Sequence, residues 1–308
     1  MKNPTVAYTW RKVIRWFYVY FVACFLIAVG NFSSFRQIED HDAVLEKVLD
    51  IRQKSMRMTL AAQEFLSYEA HYEDFHKSRE ATPIMKEYHK IDKNLELYIS
   101  SILTSNSSWK VEYETDLDSF FKLLKTHRKT FSKIITQLKY RGSQNSGMIG
   151  DLQKRTKALA IDPYINIVSL ERMKLLEKSY LLSADTSEFY KIRELNHQMQ
   201  NDIKNIPMAE NHRYTLLNNL KRYNSTLLKI VNVDLTIGFR GDKGLTLNLQ
   251  KNTEDIINLS QKMYNEAKKE KDDWLSYSRW LSVIFGTLSI SVLLVLSLTS
   301  HELLGKMK

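Results

Sequence analysis

Two apolar stretches without a charged side chain, one near each end of the chain, constrain the fold more than any other feature. They cover residues 16–29 and 280–298. A membrane-spanning helix needs about 20 apolar residues to cross a hydrocarbon core of about 30 Å. Both stretches begin with a tryptophan, a residue type that is enriched where a spanning helix meets the bilayer surface. The sequence therefore predicts transmembrane helices over residues 13–32 and 280–299.

The charges around the first apolar stretch predict its orientation. Four basic residues and no acidic residue lie before it, namely Lys2, Arg11, Lys12 and Arg15. Because basic residues favour the cytoplasmic side, we expect residues 1–12 and 300–308 in the cytoplasm and residues 33–278 on the far side of the membrane. A cleaved signal peptide is the alternative for the first stretch. Against it, the stretch is long, and its loss would leave the second stretch without a partner.

The central region, residues 33–278, is predicted to be all-helical. Apolar residues recur at helical spacing, and Gly (9) and Pro (4) are scarce in the chain. Six polar or glycine-containing breaks separate the runs, at residues 78–83, 104–108, 142–147, 184–187, 205–210 and 238–244. The fourth break carries side chains that suit a helix N-cap. This pattern predicts about seven helices of roughly 18–36 residues. One break is then either a kink or a pass-through, because a chain that re-enters the same membrane makes an even number of passes.

Composition restricts how this region can be held together and what it can bind. The single cysteine, Cys24, lies in the first apolar stretch, so no disulfide can form within the chain. Without Glu302 and the six basic residues that flank the spans, the chain has 39 basic and 34 acidic residues. This small excess does not indicate nucleic-acid binding. We therefore expect a helical domain that is stabilised by packing alone and has no nucleic-acid partner.

Two sets of residues repeat within the central region. The repeats pair residues 147–156 with 244–253, at an offset of 97 residues, and residues 57–75 with 172–190, at an offset of 115 residues. The two matches occur in the same order along the chain. They predict two modules, over about residues 33–160 and 161–278, that share long helices. The alternative explanation is that helices of similar composition resemble one another.

This organisation resembles the helical bimodular sensor domain of bacterial methyl-accepting chemotaxis receptors and sensor histidine kinases. The likeness is carried by Gly147, Leu152, Gly244, Leu245 and Leu249 at two helix starts, and by the run at residues 173–183 (MKLLEKSYLLS). It implies two stacked helical-bundle modules in the periplasm, anchored in the bacterial inner membrane, and a homodimer. It also implies that a small carboxylate, or a docked periplasmic binding protein, sends a signal through the second span.

The chain departs from the family pattern at four positions and after the second span. Leu175, Gln153, Gln250 and Ser183 stand where the family motif tends to carry basic residues. The resemblance therefore does not by itself carry over a carboxylate ligand. Ten residues follow Leu298, and they contain no output module. We expect either a truncated receptor or a protein that acts through a cytoplasmic signalling partner.

Basic and aromatic residues near the repeated motifs are the candidates for binding a small anionic metabolite. They are Arg52, Arg57, Tyr68, Arg172, Lys174, Lys178, Tyr180, Arg213 and Arg222. A cation that faces into a bundle needs a negative partner, which such a ligand can supply. The alternative for each cation is a solvated helix face with surface ion pairs. The alternative for each tyrosine is a place in the core.

No residue pattern in the sequence indicates catalysis, a cofactor or a metal site. His71 and His76 are five residues apart, a spacing that does not place them on one helix face. Neither a phosphate-binding glycine loop nor a nucleophile motif occurs. We therefore expect a sensor input protein and not an enzyme. The alternative is a membrane scaffold with a helical ectodomain, which predicts a bundle core without a polar cavity.

Overall fold

The chain is helical throughout the part that the structure describes. The computed structural model describes residues 4–78, 81–104, 108–239 and 243–307. The helices in these ranges are α1 (Pro4–Ser67), α2 (Glu73–Lys77), α3 (Pro83–Thr104), α4 (Ser108–Arg141), α5 (Gly147–Ala160), α6 (Ile167–Ser183), α7 (Thr186–Asn205), α8 (Glu210–Ile237) and α9 (Gly244–Met307). A single 3-10 turn follows α1, and the same ranges contain no β-strand. The predicted all-α fold is confirmed.

All six predicted breaks separate consecutive helices in the structure. Residues 79–80, 105–107 and 240–242 fall inside three of these breaks and lie outside the described residues. In the fourth break, Asp185 is the N-cap of α7. Its Oδ1 accepts a hydrogen bond from the backbone N–H of Ser187 at 3.0 Å. This contact satisfies one of the amide groups that a helix start leaves without an intrahelical partner.

The prediction of seven helices is wrong, because the chain has two further breaks. One separates α1 from the short helix α2, and the other separates α5 from α6. In the second of these, Asn166 caps α6 by accepting hydrogen bonds from the backbone N–H groups of Val168 and Ser169. The described helices other than α2 are eight in number.

The chain divides into two compact units. The central unit is Gln53–Ser260, and the terminal unit joins Met1–Arg52 to Gln261–Lys308. Within the terminal unit, α1 and α9 run antiparallel. Asp42 pairs with Lys271 at 2.5 Å, and the ring of His41 stacks on Trp274 with centroids 6.2 Å apart. Nearer the chain ends, a Cβ added to Gly30 would lie 3.9 Å from Leu281.

Both long helices carry a stretch that is long and apolar enough to cross a membrane. These stretches lie within Ile14–Ser67 and Gly244–Val295, and each has a mean hydropathy of 1.7. Only 6% of the first and none of the second is buried. In the core of a soluble protein, a helix of equal hydropathy would be mostly buried. The two stretches are therefore candidate membrane spans, in the regions that the sequence predicts.

Four helices of the central unit form a closed set. α5 packs against α6 and α8, and α7 packs against the same two helices. Their core consists of fully buried apolar side chains, among them Leu152, Leu170, Ile192 and Leu220. The long helix α4 packs against α5 and α8, and also against α3. α4 therefore connects the closed set to the remaining helices of the unit.

A pair of glycines flanks each of two connections, the one from α4 to α5 and the one from α8 to α9. In each turn one glycine ends a helix and a second glycine begins the next, with positive φ angles of 81° and 61° at Gly142 and Gly147, and of 78° and 74° at Gly238 and Gly244. L-residues rarely adopt this conformation. The predicted helix starts at Gly147 and Gly244 are confirmed. Leu152 and Leu249 follow at equivalent positions and are buried, and Leu245 is half-buried.

We expect Gly238→Ala to lower the free energy of unfolding by about 2 kcal/mol or more, because the left-handed conformation costs an L-residue about 1–2 kcal/mol. The added Cβ would also lie 1.7 Å from the carbonyl oxygen of Lys243. Thermal unfolding of the full chain in lipid nanodiscs should show a melting temperature lower by about 4–8 °C. Gly286→Ala is the control, because its Cβ meets no atom within 4 Å. Equal melting temperatures for the two variants would contradict this account of the turn.

Candidate functional site

Most of the predicted ligand residues point to solvent. Arg57, Arg172, Lys178 and Arg222 are exposed, and Tyr68 is 63% exposed. The solvated-face alternative thus describes the position of the four cations, whereas Tyr68 lies neither in the core nor in a depression that is described below. Lys178 differs from the others because it also lines a depression that is described below.

The remaining predicted residues already have partners within the chain. Arg52 lies over the ring of Tyr264, with its Cζ 5.2 Å from the ring centroid. Lys174 pairs with Glu171 at 2.6 Å. Arg213 donates a hydrogen bond to a backbone carbonyl, that of Ile206, at 3.1 Å. Tyr180 is buried and donates to Asp234 at 2.9 Å. Of these four, only Tyr180 lines one of the depressions described below.

A buried ion pair that the sequence interpretation missed lies at the centre of the candidate site. Arg141, the last residue of α4, donates from Nε to Asp234 Oδ1 at 2.6 Å and from Nη2 to Oδ2 at 3.4 Å. Asp234 belongs to α8, and its second oxygen also accepts the hydrogen bond from Tyr180 of α6. Burial raises the pKa of Asp234, although Arg141 and Tyr180 act in the opposite direction. Three helices are thereby joined at one carboxylate.

The sequence around Asp234 contains a signal for this buried ion pair. Asp234 stands in the apolar stripe of α8, between Val231 and Ile237, which are both buried. An acidic residue at such a position requires a buried partner. The sequence alone, however, does not say which cation supplies the partner, since Arg141 is 93 residues away.

A second buried carboxylate lies on the same helix as Tyr180. Glu177 Oε2 accepts a hydrogen bond from Tyr223 at 2.7 Å, and its Oε1 accepts one from the amide of Gln153 at 2.7 Å. Burial raises the pKa of Glu177, and the hydrogen bond from Tyr223 and the charges of Lys174 and Lys178 oppose that shift. Gln153 is one of the positions where the family motif tends to be basic. In this chain the side chain of Gln153 donates a hydrogen bond to the buried carboxylate of Glu177.

Three depressions surround Arg141 and the end of α6. Two of them, of about 320 and 500 Å³, share the lining residues Ala70, Arg141, Leu181 and Leu182. We call these two together the Arg141 groove. It is lined by Leu66, Ala70, His76, Leu138, Arg141, Gly142, Ser143, Gln144, Ile149, Gln153, Lys178, Leu181, Leu182, Ser183, Ala184, Ile237, Phe239 and Thr246. A third depression, of about 230 Å³, lies against Tyr180, Asp234 and Lys243.

The groove has an apolar part and a polar part. The smaller depression is lined chiefly by leucine, isoleucine and phenylalanine side chains around Arg141. The larger one adds Lys178 and the polar side chains of Ser143, Gln144 and Gln153. The guanidinium of Arg141 also lies 4.8 Å from the centroid of the Phe239 ring. Such a surface can accept an apolar body together with a negatively charged group.

A separate polar cluster ties α3 to α4. Arg128 pairs with Asp92 at 2.6 Å and with Glu96 at 2.7 Å, and the hydroxyl of Tyr88 lies 3.1 Å from His127 Nδ1. Burial lowers the pKa of His127 to about 4, so the imidazole is neutral at physiological pH. No depression described above includes these residues. We assign them a structural role in holding the two helices together.

Comparisons of the chain with protein-family models, with curated proteins and with solved structures find no match. The function of the groove is therefore inferred from its own geometry and from the motifs in the sequence.

We expect Asp234→Ala to lower the free energy of unfolding by about 2–3 kcal/mol, because it leaves the half-buried guanidinium of Arg141 and the buried hydroxyl of Tyr180 without their acceptor. The double variant Arg141→Met with Asp234→Leu should regain most of this loss, since it removes both charges. The surface pair of Asp151 and Arg155, in which Asp151 is 47% exposed, provides the control. Asp151→Ala should change the free energy of unfolding by less than about 1 kcal/mol. A double variant no more stable than Asp234→Ala would show that the charge is not the cause.

Glu177 should make the stability of the wild type fall as the pH rises. Its pKa is raised in the folded state above the unfolded value of about 4.3, so the folded state binds more protons than the unfolded state. The stabilisation is complete below pH 4.3 or so and is lost as the pH passes the folded pKa. Melting temperatures of the wild type and of Glu177→Gln, measured from about pH 4.5 to 8, should show the wild type losing stability relative to the variant. Parallel curves would contradict this assignment.

Proposed function

We propose that this chain is the input part of a transmembrane sensor, whose helical region over residues 33–278 binds a small anionic ligand or a periplasmic protein. The observation that carries the proposal is the continuity of α9. The first turn of α9 contributes Thr246 to the Arg141 groove. The same helix then continues without a break to Met307 and includes the second candidate span. A change in the groove that displaces the start of α9 is transmitted along one stiff helix.

The proposed architecture is that of a helical bimodular sensor. Two bundle modules, over about residues 33–160 and 161–278, stack on one another, and two copies associate as a homodimer in the bacterial inner membrane. Both termini lie in the cytoplasm, where a signalling partner responds to the movement of α9. The matching glycine turns that begin α5 and α9 support the two-module arrangement. The basic residues before the first apolar stretch support the orientation.

The polar character of the groove favours a sensor over a membrane scaffold. The scaffold hypothesis predicts a core without a polar cavity. In the structure, Arg141 and Lys178 line the larger depression of the groove, of about 500 Å³. Arg141 is paired with Asp234, whereas Lys178 has no ion pair with a residue that the structure describes. A cation of this kind beside polar side chains supports a binding role for the groove. We propose no catalytic activity.

A ligand in the groove can act only through its different affinity for two arrangements of the helices. The groove is formed by the ends of α4 and α6 and the start of α9, so a small rotation of one helix changes its shape. A ligand that reverses a population ratio from 1:99 to 99:1 must bind one arrangement about 10⁴-fold more tightly. A ligand with a smaller difference in affinity between the two arrangements shifts their populations only in part.

The experiment follows the position of α9 relative to α1 in the terminal unit. In a Cys24→Ser background, cysteines replace Asp42 and Lys271, whose side chains are in contact. The rate of disulfide formation is measured in spheroplasts with a panel of anions that runs from acetate to long-chain alkyl carboxylates. We expect at least one member to change the rate by more than about twofold, because binding shifts the helices between two states.

Matched groove variants provide the control for this experiment. Lys178→Gln should abolish the ligand effect, whereas Lys174→Gln, whose lysine pairs with Glu171, should preserve it. An impermeant maleimide added before the oxidant should block the crosslink, because the proposed orientation places both cysteines outside the cytoplasm. If neither the panel nor a periplasmic extract changes the rate, the sensor proposal is wrong and the scaffold alternative is favoured.

A further inference from the structure

We infer that the Arg141 groove takes an amphiphilic monoanion, namely a free alkyl carboxylate of medium chain length. The inference rests on the proposed function and specifies its ligand. It differs from the small carboxylate that the family resemblance implies, and it follows from the lining of the groove.

The apolar side of the groove can bury an alkyl chain. Leu181 and Leu182 line both depressions, and the smaller depression adds Leu66, Leu138 and Ile237. Leu182 is 90% exposed, although it borders side chains that are themselves buried. Covering such a leucine with a hydrocarbon chain removes apolar surface from water, which favours binding. A small dicarboxylate has no apolar surface to offer this side of the groove.

The polar side of the groove has a net charge that suits one carboxylate. The charge of Arg141 is balanced by Asp234, to which it is hydrogen-bonded through Nε and Nη2. A guanidinium has five N–H donors, so Arg141 can still donate to a ligand. Lys178 makes no ion pair or hydrogen bond with any residue that the structure describes. The groove therefore offers the ammonium of Lys178, whose charge also acts on the neighbouring Glu177, together with the hydroxyl of Ser143 and the amide of Gln144.

The size of the groove agrees with this ligand class. Its two depressions measure about 320 and 500 Å³, within the range of about 300–1,000 Å³ that is usual for ligands of drug size. The apolar part and the cation meet at Leu181 and Leu182, which lie on the same helix as Lys178 and less than two turns from it. A carboxylate near Lys178 thus places its chain along the leucines.

The test is photolabelling of the full chain in phosphatidylcholine nanodiscs with a decanoate that carries a diazirine on its alkyl chain. Peptides are quantified by mass spectrometry. Labelling of the peptide that contains Leu181 and Leu182 is compared with labelling of residues 280–298, which the probe reaches through the lipid. We expect excess decanoate to reduce the groove labelling at least fivefold relative to this internal reference. Equal concentrations of decanol, acetate or succinate should reduce it less than twofold.

Matched variants on α6 sharpen the test. Leu182→Ser should lower the groove labelling at least fivefold, whereas Leu175→Ser, which replaces a leucine that is 66% exposed one heptad earlier, should lower it less than twofold. Lys178→Gln should lower it at least threefold, and Lys174→Gln less than twofold. Labelling confined to residues 280–298 would overturn the inference. So would equal labelling of the Leu182→Ser and Leu175→Ser variants.

The competition outcomes separate the parts of the inference. Equal competition by decanol would overturn the role of the charge, and equal competition by succinate would overturn the role of the chain. Reduced labelling in phosphatidylglycerol nanodiscs would overturn a free carboxylate in favour of a membrane lipid. Groove labelling without any change in the crosslinking of α1 to α9 would leave the ligand class standing and contradict the sensor function. A ligand effect on crosslinking without groove labelling would contradict the ligand class and leave the sensor function standing.

Discussion

The ion pair between Arg141 and Asp234 is the interaction on which the arrangement of the central unit depends. It joins the end of α4 to α8 across 93 residues of sequence, and the hydrogen bond from Tyr180 brings in α6. No disulfide can perform this task, because the chain has one cysteine. Both oxygens of Asp234 are used, which restricts how far each helix can rotate. A buried network of this kind is stable only when every member is satisfied.

The properties of the adjoining groove follow from this pair. Asp234 neutralises Arg141, so the groove does not contain two unpaired cations. The glycine turn that follows Arg141 lets the backbone reverse within a few residues and brings Ser143 and Gln144 to the rim. Thr246, in the first turn of α9, lines the smaller depression together with Arg141. The groove is therefore built from helix ends, whose positions respond to small rotations more than the middle of a packed helix does.

Much of the fold could be predicted from the sequence because local signals decide it. Apolar spacing and the six polar breaks gave the helices, and the glycines at 147 and 244 marked two helix starts. The break at residues 161–166 was missed although Pro163 and the capping side chain of Asn166 were present.

The candidate site was harder to predict from the sequence. Which side chains pair with each other depends on contacts between distant parts of the chain. Lys178 and Tyr180 were identified beside the repeated motif, but the motif did not show that Tyr180 would bind Asp234. Arg57, Arg172 and Arg222 have the same residue type as Arg141, yet they are exposed. Only packing distinguishes an arginine that faces a buried carboxylate from one that faces water. A single sequence contains little information of this kind.

The polar contacts within the two units differ in how far they are exposed to water. In the central unit, Asp234 is 3% exposed and its pairing with Arg141 is shielded from water. In the terminal unit, Lys271 and Asp42 are 28% and 50% exposed, and such surface pairs contribute about 0–1 kcal/mol. Polar contacts between α1 and α9 of the terminal unit thus oppose sliding only weakly. The same two helices bury Val48, Ile51 and Met263 completely within that unit, so apolar packing rather than the surface ion pair holds α1 and α9 together there.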